Sequence, residues 1–570
     1  MKNFYLLKDI IPSGFGTGLF LIQINIIVVS ALELFGVLSM LPFINLVLLD
    51  SPNNEILIDF IGKYTGIEGK ENIIIFLGIF FIISLIISNL LRALLVFFYL
   101  NFCEKIGWKI TSNLFKYYLD QKYSFILKND TSNLTNNFIA DLPRLISQVI
   151  VPLLQINSQI ILVVVLFVSL LVINPVSTTI AFLFIGLLYV ITFLVTKKTL
   201  TQNSISMSIN SAIRVRIIKE SFGLFKWLKV SGNENILVNE FQGVMKKFHK
   251  MIAINNSVAL IPRYILEMIA LMAVGLICAI SYSSVSEFNG LLPQILLLGV
   301  AGIKMLPAVQ QIFFGVARYQ ANQSVIRLLH NDISQANLLD TNDFIANKEE
   351  IEINKSIRFN EITFSYKGEN KVLDKLNIQI FKGTSNAILG ESGSGKTTLI
   401  DIILGIFKPL SGSIIVDDEK IEIERYVKSF KNISLVPQQI YLLNASIAEN
   451  IAFGKKIEND KIEKVLKIVD LWNFVYLSCI NGIHTDVGEN GVNLSGGQKQ
   501  KIGIARALYE DKDFIILDEA TNSIDHKSEE RIIENIKSFD NYTIIAISHN
   551  IDSYSFCDNI YYIKDGRLKT

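Results

Sequence analysis

Apolar residues fill the first 330 positions in long runs, and beyond Asn347 they give way to short apolar stretches broken by charge. A helix needs about 20 mostly apolar residues to cross a bilayer. Six segments meet that length: 18–48, 73–101, 148–174, 177–197, 252–281 and 288–316. The helical pattern continues past several of them, which predicts extensions beyond the membrane. In the 49–72 connection Leu57, Phe60, Ile61 and Tyr64 recur at helical spacing around Asp59 and Lys63. That pattern predicts a short amphipathic helix on the outer face; Gly62 and Gly66 weaken it, so an irregular loop stays open. The polar stretch 331–352 reads as a linker. After it Ser356–Phe364 and Leu376–Ile380 read as strands, and SNAILG leads through a glycine-rich loop into a helix.

Composition sharpens this division. The 570 residues exceed one ordinary domain, and 51% hydrophobic residues with a mean hydropathy of +0.42 exceed what a soluble chain carries. The expected fold is a membrane α-helical domain of six transmembrane helices (1–330), the linker (331–352) and an α/β P-loop domain (353–570). The net charge of +1 supports no nucleic-acid partner. Cys103, Cys278, Cys479 and Cys557 are scattered with no C-x-x-C pair, as isolated reduced thiols are. The start, MKNFYLLKDIIPSGFG, lacks the apolar core and cleavage site of a signal peptide, so the first apolar segment is expected to be a retained span. Basic residues gather in the connections 102–147 and 198–251, whereas 49–72 is acidic on balance. The positive-inside rule then puts both termini and the α/β half in the cytoplasm.

Two motifs carry the chemistry. Residues 390–397 read GESGSGKT, the phosphate-binding pattern G-x-x-x-x-G-K-[ST]. Its glycines let backbone N–H groups wrap phosphates at a helix N-terminus. The candidate ATP-binding residues are Gly390, Glu391, Ser392, Gly393, Ser394, Gly395, Lys396, Thr397 and Thr398. Lys396 is expected to reach the β- and γ-phosphates, and the Thr397 hydroxyl to ligate Mg²⁺. About a hundred residues on, 494–498 read LSGGQ, and 514–519 read FIILDE, an apolar strand ending in two acids. Asp518 is assigned to the Mg²⁺ shell and Glu519 to polarising the attacking water.

In order and spacing this half resembles the nucleotide-binding domain of an ABC transporter. The resemblance implies that Tyr366 stacks on adenine, that Gln438 contacts Mg²⁺ and reports on the membrane domain, and that His549 contacts the γ-phosphate. Residues 485–491 (TDVGENG) resemble the X-loop of exporters, and Ser523, Ile524 and Asp525 stand where the D-loop lies. It also implies that Ser495, Gly496, Gly497 and Gln498 of one chain close over the ATP of another, hence a homodimer with two hydrolytic sites. Lys501, Asn522 and Asn550 depart from the usual residues without removing a catalytic group. One membrane domain before one cassette resembles a half-transporter of the exporter class. An importer cassette is normally a separate chain, and no peptidase domain precedes the first span, which argues against leader-peptide export.

Ionisable residues inside spans are costly and point to function by default. Five occur: Glu33, Arg92, Arg263, Glu267 and Lys304. The three cations, doubled in a dimer, would suit a phosphate-bearing head group from the inner leaflet. Alternatively Arg263 and Glu267 pair along one helix, Arg92 snorkels, and Glu33 is a structural partner of a cation. ALELFGVLSMLPFINL, NLLRALL, VALIPRYILE, KMLP and LVPQQIYLLNASIAENIAFG resemble PglK-type lipid-linked oligosaccharide flippases. That resemblance implies a bacterial inner-membrane protein with Arg92, Arg263 and Lys304 as substrate residues, Lys304 replacing a third arginine. It further implies movement of a polyprenyl-pyrophosphate glycan, among membrane lipids, to the outer leaflet. Export of a peptide, lipid or amphipathic drug is the alternative, and there the cations would be tied up in salt bridges. An ATP-gated regulator would need a weakened site, and the intact Glu519 and His549 argue against it.

Overall fold

The computed structural model forms two compact units, Met1–Gln121 with Phe125–Thr341, and Asn342–Thr570 with Lys122–Ser124. It describes residues 2–48, 52–67, 69–173, 175–281, 285–338, 351–366, 371–422, 432–521, 523–538, 542–548 and 557–569.

The first unit is helical. Helices α1 (Lys2–Ile10), α2 (Gly16–Leu38), α3 (Met40–Leu48) and α4 (Pro52–Thr65) lead into α5 (Lys70–Leu119). Short helices α6 (Tyr123–Lys128), α7 (Thr131–Asn136) and α8 (Leu142–Leu145) follow, with π-helical turns at Asn137–Asp141 and Ile146–Ile150. Then come α9 (Val151–Ile173), α10 (Pro175–Gly223), α11 (Phe225–Ser231), α12 (Glu234–Ser281) and α13 (Val285–Leu338). At 50 residues α5 runs about 75 Å, well over the ~30 Å hydrocarbon thickness, so it extends past the bilayer as its pattern predicts.

All six predicted segments lie in helical structure. Among the described residues four stretches are long and apolar enough to cross a membrane: Gly16–Ile44, Lys70–Leu119, Thr131–Val172 and Thr178–Gly223. The fifth and sixth segments lie within α12 and α13. The exposed face of α5 carries the expected signature: Ile79, Ile82, Ile83, Ile86, Leu90, Leu94 and Phe97 are exposed apolar side chains, as a lipid-facing helix requires.

Three local outcomes refine the sequence reading. The first segment is broken at Ser39, because Pro42 cannot donate to the Leu38 carbonyl and its ring crowds that group. The 49–72 connection does form a helix, α4. Gly66 ends it at φ +70°, donating its N–H to the Gly62 carbonyl at 2.9 Å, so the residue that weakened the prediction is the helix stop. The linker assignment is corrected at its start: 331–338 are the last turns of α13. Ile333 and Ala336 continue the buried stripe of Leu329 and pack with Ile106, Ile110 and Leu114 of α5. Residues 339–350 of the expected linker lie outside the described residues.

The second unit is α/β. A four-stranded antiparallel sheet runs β2-β1-β4-β5, from β1 (Ser356–Phe364), β2 (Leu373–Phe381), β4 (Ser411–Val416) and β5 (Glu419–Ile421). A six-stranded sheet runs β10-β9-β3-β8-β7-β6, from β3 (Ser385–Gly390), β6 (Ile433–Val436), β7 (Phe514–Asp518), β8 (Thr543–Ser548), β9 (Asn559–Lys564) and β10 (Arg567–Lys569). Every pairing in it is parallel except β10 with β9. Alternation splits its core in two. Ile388, Ile516 and Ile545 face the antiparallel sheet and the helix α14 (Lys396–Ile403); Leu389, Ile515, Leu517 and Ile544 face the helical side. Burial on both faces is why FIILD and TIIAIS read as unbroken apolar runs.

Close helix packing in the first unit depends on Gly315 of α13. A Cβ there would lie 2.6 Å from Ile156 Cγ1 and 3.4 Å from the Pro152 carbonyl oxygen. Ile156 is β-branched and has little room to turn away. Gly315→Val should destabilise the protein by about 1–3 kcal/mol, read as a lower unfolding midpoint in detergent. An unchanged midpoint would contradict this packing.

Candidate nucleotide site and membrane-domain cations

The ends of three parallel strands, β3, β6 and β7, build the described part of the site. β3 runs into the glycine-rich loop at Gly390, and β7 ends at Asp518 with Glu519 next. β6 leads through Pro437 to Gln438, and β8 leads to position 549. His549 itself lies outside the described residues. Doubly wound sheets bind ligands beyond the carboxyl ends of their strands.

The loop is a tight cradle. Gly395 sits at φ +103°, and a Cβ there would lie 2.9 Å from the Val372 carbonyl oxygen. A Cβ at Gly390 would overlap the Ile563 carbonyl oxygen. Only glycine lets the chain turn here with its N–H groups open to a ligand. Lys396 starts α14 and donates from Nζ to the carbonyls of Gly390 (2.7 Å) and Glu391 (2.8 Å), which holds the ammonium at the loop mouth. Burial lowers its pKa, and the nearby Glu519 and Asp518 oppose that shift. Burial raises the pKa of Asp518, Glu519 adds to this, and Lys396 counters it. Asp401, which motif reading missed, is pushed up to about 6 by burial and by Asp518. Its place on α14, five residues after Lys396, was the only available signal.

Tyr366, Lys396, Thr397, Thr398, Gln438 and Glu519 line one cleft of about 390 Å³. The exposed Tyr366 ring is anchored by its hydroxyl to Thr398 Oγ1 at 2.9 Å and by an edge-on contact with Phe407. Gln438 Nε2 donates to Glu519 Oε2 at 2.7 Å, bringing together two residues 81 apart in sequence. Glu519 is held at φ +48°, a strained conformation for a non-glycine residue that costs about 1–3 kcal/mol. The Thr397 hydroxyl, Gln438 amide oxygen and Asp518 carboxylate are hard oxygen donors, the type that suits Mg²⁺. The cradle and the donor set both fit a Mg²⁺-bound nucleotide.

Ser495–Gln498 do not line that cleft. They begin the helix Gly496–Tyr509 with a capping box: Ser495 Oγ accepts from the Gln498 N–H, and Gln498 Oε1 accepts from the Ser495 N–H. A Cβ on Gly497 would lie 3.0 Å from the Ser523 carbonyl oxygen, and Gln500 Oε1 accepts from the Ser523 N–H, so this motif packs on the 523–525 turn.

The membrane-domain cations are each engaged. Arg92 makes two hydrogen bonds to Glu33 (2.8 and 2.7 Å) and one to Gln159, which in turn donates to Gln311. This chain crosses α5, α2, α9 and α13, and the Glu33 side chain is only 2% exposed. Glu33 is thus the partner of Arg92. Arg263 pairs with Glu267 one turn along α12, and Lys304 donates to Asn89 Oδ1 at 2.9 Å. Asn89 lies one turn before Arg92 on α5, so Lys304 and Arg92 share the α5–α13 seam, while Arg263 is engaged on α12. Among the described residues Cys103, Cys479 and Cys557 are free thiols.

A family model described as ABC transporter transmembrane region matches residues 19–305, and one described as ABC transporter matches residues 373–522. The chain belongs to the ABC transporter family. This ABC protein is 36% identical over 218 residues to the ATP-dependent lipid A-core flippase of Burkholderia pseudomallei, covering 37% of this chain and 36% of that one. With the ATP-dependent lipid A-core flippase of Paraburkholderia xenovorans the identity is 28% over 364 residues, covering 62% and 59%. With the heterocyst differentiation ATP-binding protein HepA of Nostoc it is 34% over 218 residues, covering 38% and 36%. These matches span less than two thirds of the relatives' own length. A solved bacterial Atm1-family ABC exporter with ATP bound shares the fold, with a TM-score of 0.75 over 97% of this chain and 95% of that one at 19% identity.

The Arg92–Glu33 pair should behave as architecture. Removing one partner of a buried pair costs about 3–5 kcal/mol, because the other charge is left unpaired. Arg92→Met should therefore lower stability by about 3 kcal/mol, and Glu33→Gln added to it should restore most of the loss, read by thermal unfolding. A double variant no better than Arg92→Met would contradict the pairing.

Proposed function

We propose that this ABC protein is an ATP-hydrolysing exporter that acts as a homodimer in a bacterial inner membrane, with both termini and the ATPase domain in the cytoplasm. It moves a lipid-linked oligosaccharide, a polyprenyl-pyrophosphate glycan, from the cytoplasmic to the outer leaflet. The observation that carries the ATPase reading is the single cleft shared by Lys396, Thr397, Gln438 and Glu519. Gly390–Thr398 hold the triphosphate and Tyr366 stacks on the base. Glu519 orients a water toward the γ-phosphorus, held in place by its bond from Gln438, and His549 contacts the γ-phosphate. Thr397, Gln438 and Asp518 would hold Mg²⁺, which would supply charge neutralisation at the phosphate oxygens.

Ser495, Gly496, Gly497 and Gln498 stand apart from their own chain's cleft, which supports closure over the nucleotide of a second copy. The lipid reading is supported by two lipid A-core flippase relatives and by the resemblance to PglK-type flippases. Arg92, Arg263 and Lys304 are the proposed substrate residues. A second reading, export of a peptide, lipid or amphipathic drug, is favoured by one observation: Arg92 and Arg263 are already ion-paired.

Purified protein in liposomes should move a fluorescent polyprenyl-pyrophosphate glycan only with Mg²⁺ and ATP. Glu519→Gln should reduce hydrolysis at least about 100-fold while nucleotide binding persists, the size of loss typical for a group acting on the attacking water. Hydrolysis stimulated equally by uncharged amphiphiles, with no movement of the glycan, would contradict the lipid-linked oligosaccharide reading and favour the second one.

A further inference from the structure

A second cationic pocket lies away from Arg92, Arg263 and Lys304. It is a cavity of about 320 Å³ between α8, α10, α12 and α13, where Arg144 and Arg318 meet the amides of Gln148, Asn255, Asn256 and Asn322. Among the described residues no carboxylate lines it. Arg144 is held by neutral groups: it donates to Ser208 Oγ (3.1 Å), to the carbonyls of Ala321 (3.2 Å) and Ser204 (3.4 Å), and to Asn322 Oδ1. Asp141, one turn earlier, accepts from Asn136 and gives Arg144 no hydrogen bond, but its charge acts on Arg144 electrostatically and offsets part of its positive field.

Arg318 is different. Its Nε is buried with no hydrogen-bond partner, and among the described residues its side chain makes no hydrogen bond or ion pair. The Phe314 ring lies against its charge, with the guanidinium 4.0 Å from the ring centroid. A buried donor left unpaired is costly, and one on a charged group more so. A guanidinium matches the paired oxygens of a phosphate, and the amides around it supply further neutral donors. The depth is informative as well. Arg144 lies four residues before the predicted segment 148–174, Ile252 opens the segment 252–281, and Arg318 lies two residues past the segment 288–316. By the charge distribution all three positions are expected at the cytoplasmic ends of their segments, where inner-leaflet head groups lie.

We propose that the Arg144–Arg318 pocket binds a phosphate group, carried by an anionic amphiphile in the inner leaflet, before that amphiphile is moved. This rests on the flippase reading above. Arg318 supplies the open charge, Arg144 sets the positive field, and Asn255, Asn256 and Gln148 complete the oxygen contacts.

The test uses the full-length protein in phosphatidylcholine nanodiscs, titrated with short-chain phosphatidic acid or with inorganic pyrophosphate. Wild type should bind the phosphatidic acid, and Arg318→Gln should bind about tenfold more weakly. Arg318→Lys, which keeps the charge, should fall between them, and unfolding midpoints check that each variant is folded. Pyrophosphate binding that depends equally on Arg318 would support the phosphate site and assign it to a free anion, which would overturn the lipid source. Phosphatidic acid binding that ignores Arg318 in both variants would overturn the site. Lipid movement is measured separately. Arg318-dependent binding without movement would leave the pocket standing and remove the flippase reading, and movement with binding indifferent to Arg318 would do the reverse.

Discussion

Everything chemical in the second unit depends on parallel strands ending together. β3, β6, β7 and β8 pair side by side in one direction, so the residues that follow them share one edge of the sheet. Gly390, Gln438 and Glu519 come together there although the motifs that contain them are 48 and 81 residues apart. Burial on both faces leaves the sheet no freedom to slip, because a shift of one residue would exchange the two halves of the core. A rigid edge can in turn hold Glu519 in a strained backbone conformation.

The first unit solves a different problem, which is keeping charge in an apolar setting. Glu33 and Arg92 neutralise each other, and Gln159 and Gln311 extend their hydrogen bonds to two further helices. That linkage ties α2, α5, α9 and α13 where close apolar packing would otherwise act alone. Among the described residues Arg318 has no such partner, and the Phe314 ring lies against its guanidinium instead. The Arg92 charge is thus balanced within the protein, whereas that of Arg318 is not.

Much of this was legible in the sequence. The six apolar segments, the strand Ser356–Phe364 and the strand–loop–helix at Gly390 follow from periodicity, the motifs pointed to Lys396 and Glu519, and the family resemblance pointed to Gln438. Other features were not legible for physical reasons. The last turns of α13 look polar because only Ile333 and Ala336 of 331–338 face inward. Glu33 and Arg92 lie 59 residues apart, so no local pattern reveals their pairing. Arg144 and Arg318 escaped attention because they stand just outside the apolar windows, where a basic residue looks like an ordinary interfacial one. Asp401 was hidden in a helix read only for its first three residues.

In the proposed homodimer each nucleotide site would draw Lys396 from one chain and Ser495 from the other. Co-expression of a Lys396→Ala chain and a Ser495→Arg chain with different tags, followed by purification of the mixed dimer, tests it directly. Each variant alone should be inactive. In the mixed dimer one shared site keeps both an intact Lys396 and an intact Ser495, so ATP hydrolysis should return. A mixed dimer as inactive as its parents would mean that each site is built within one chain, and the account would be wrong.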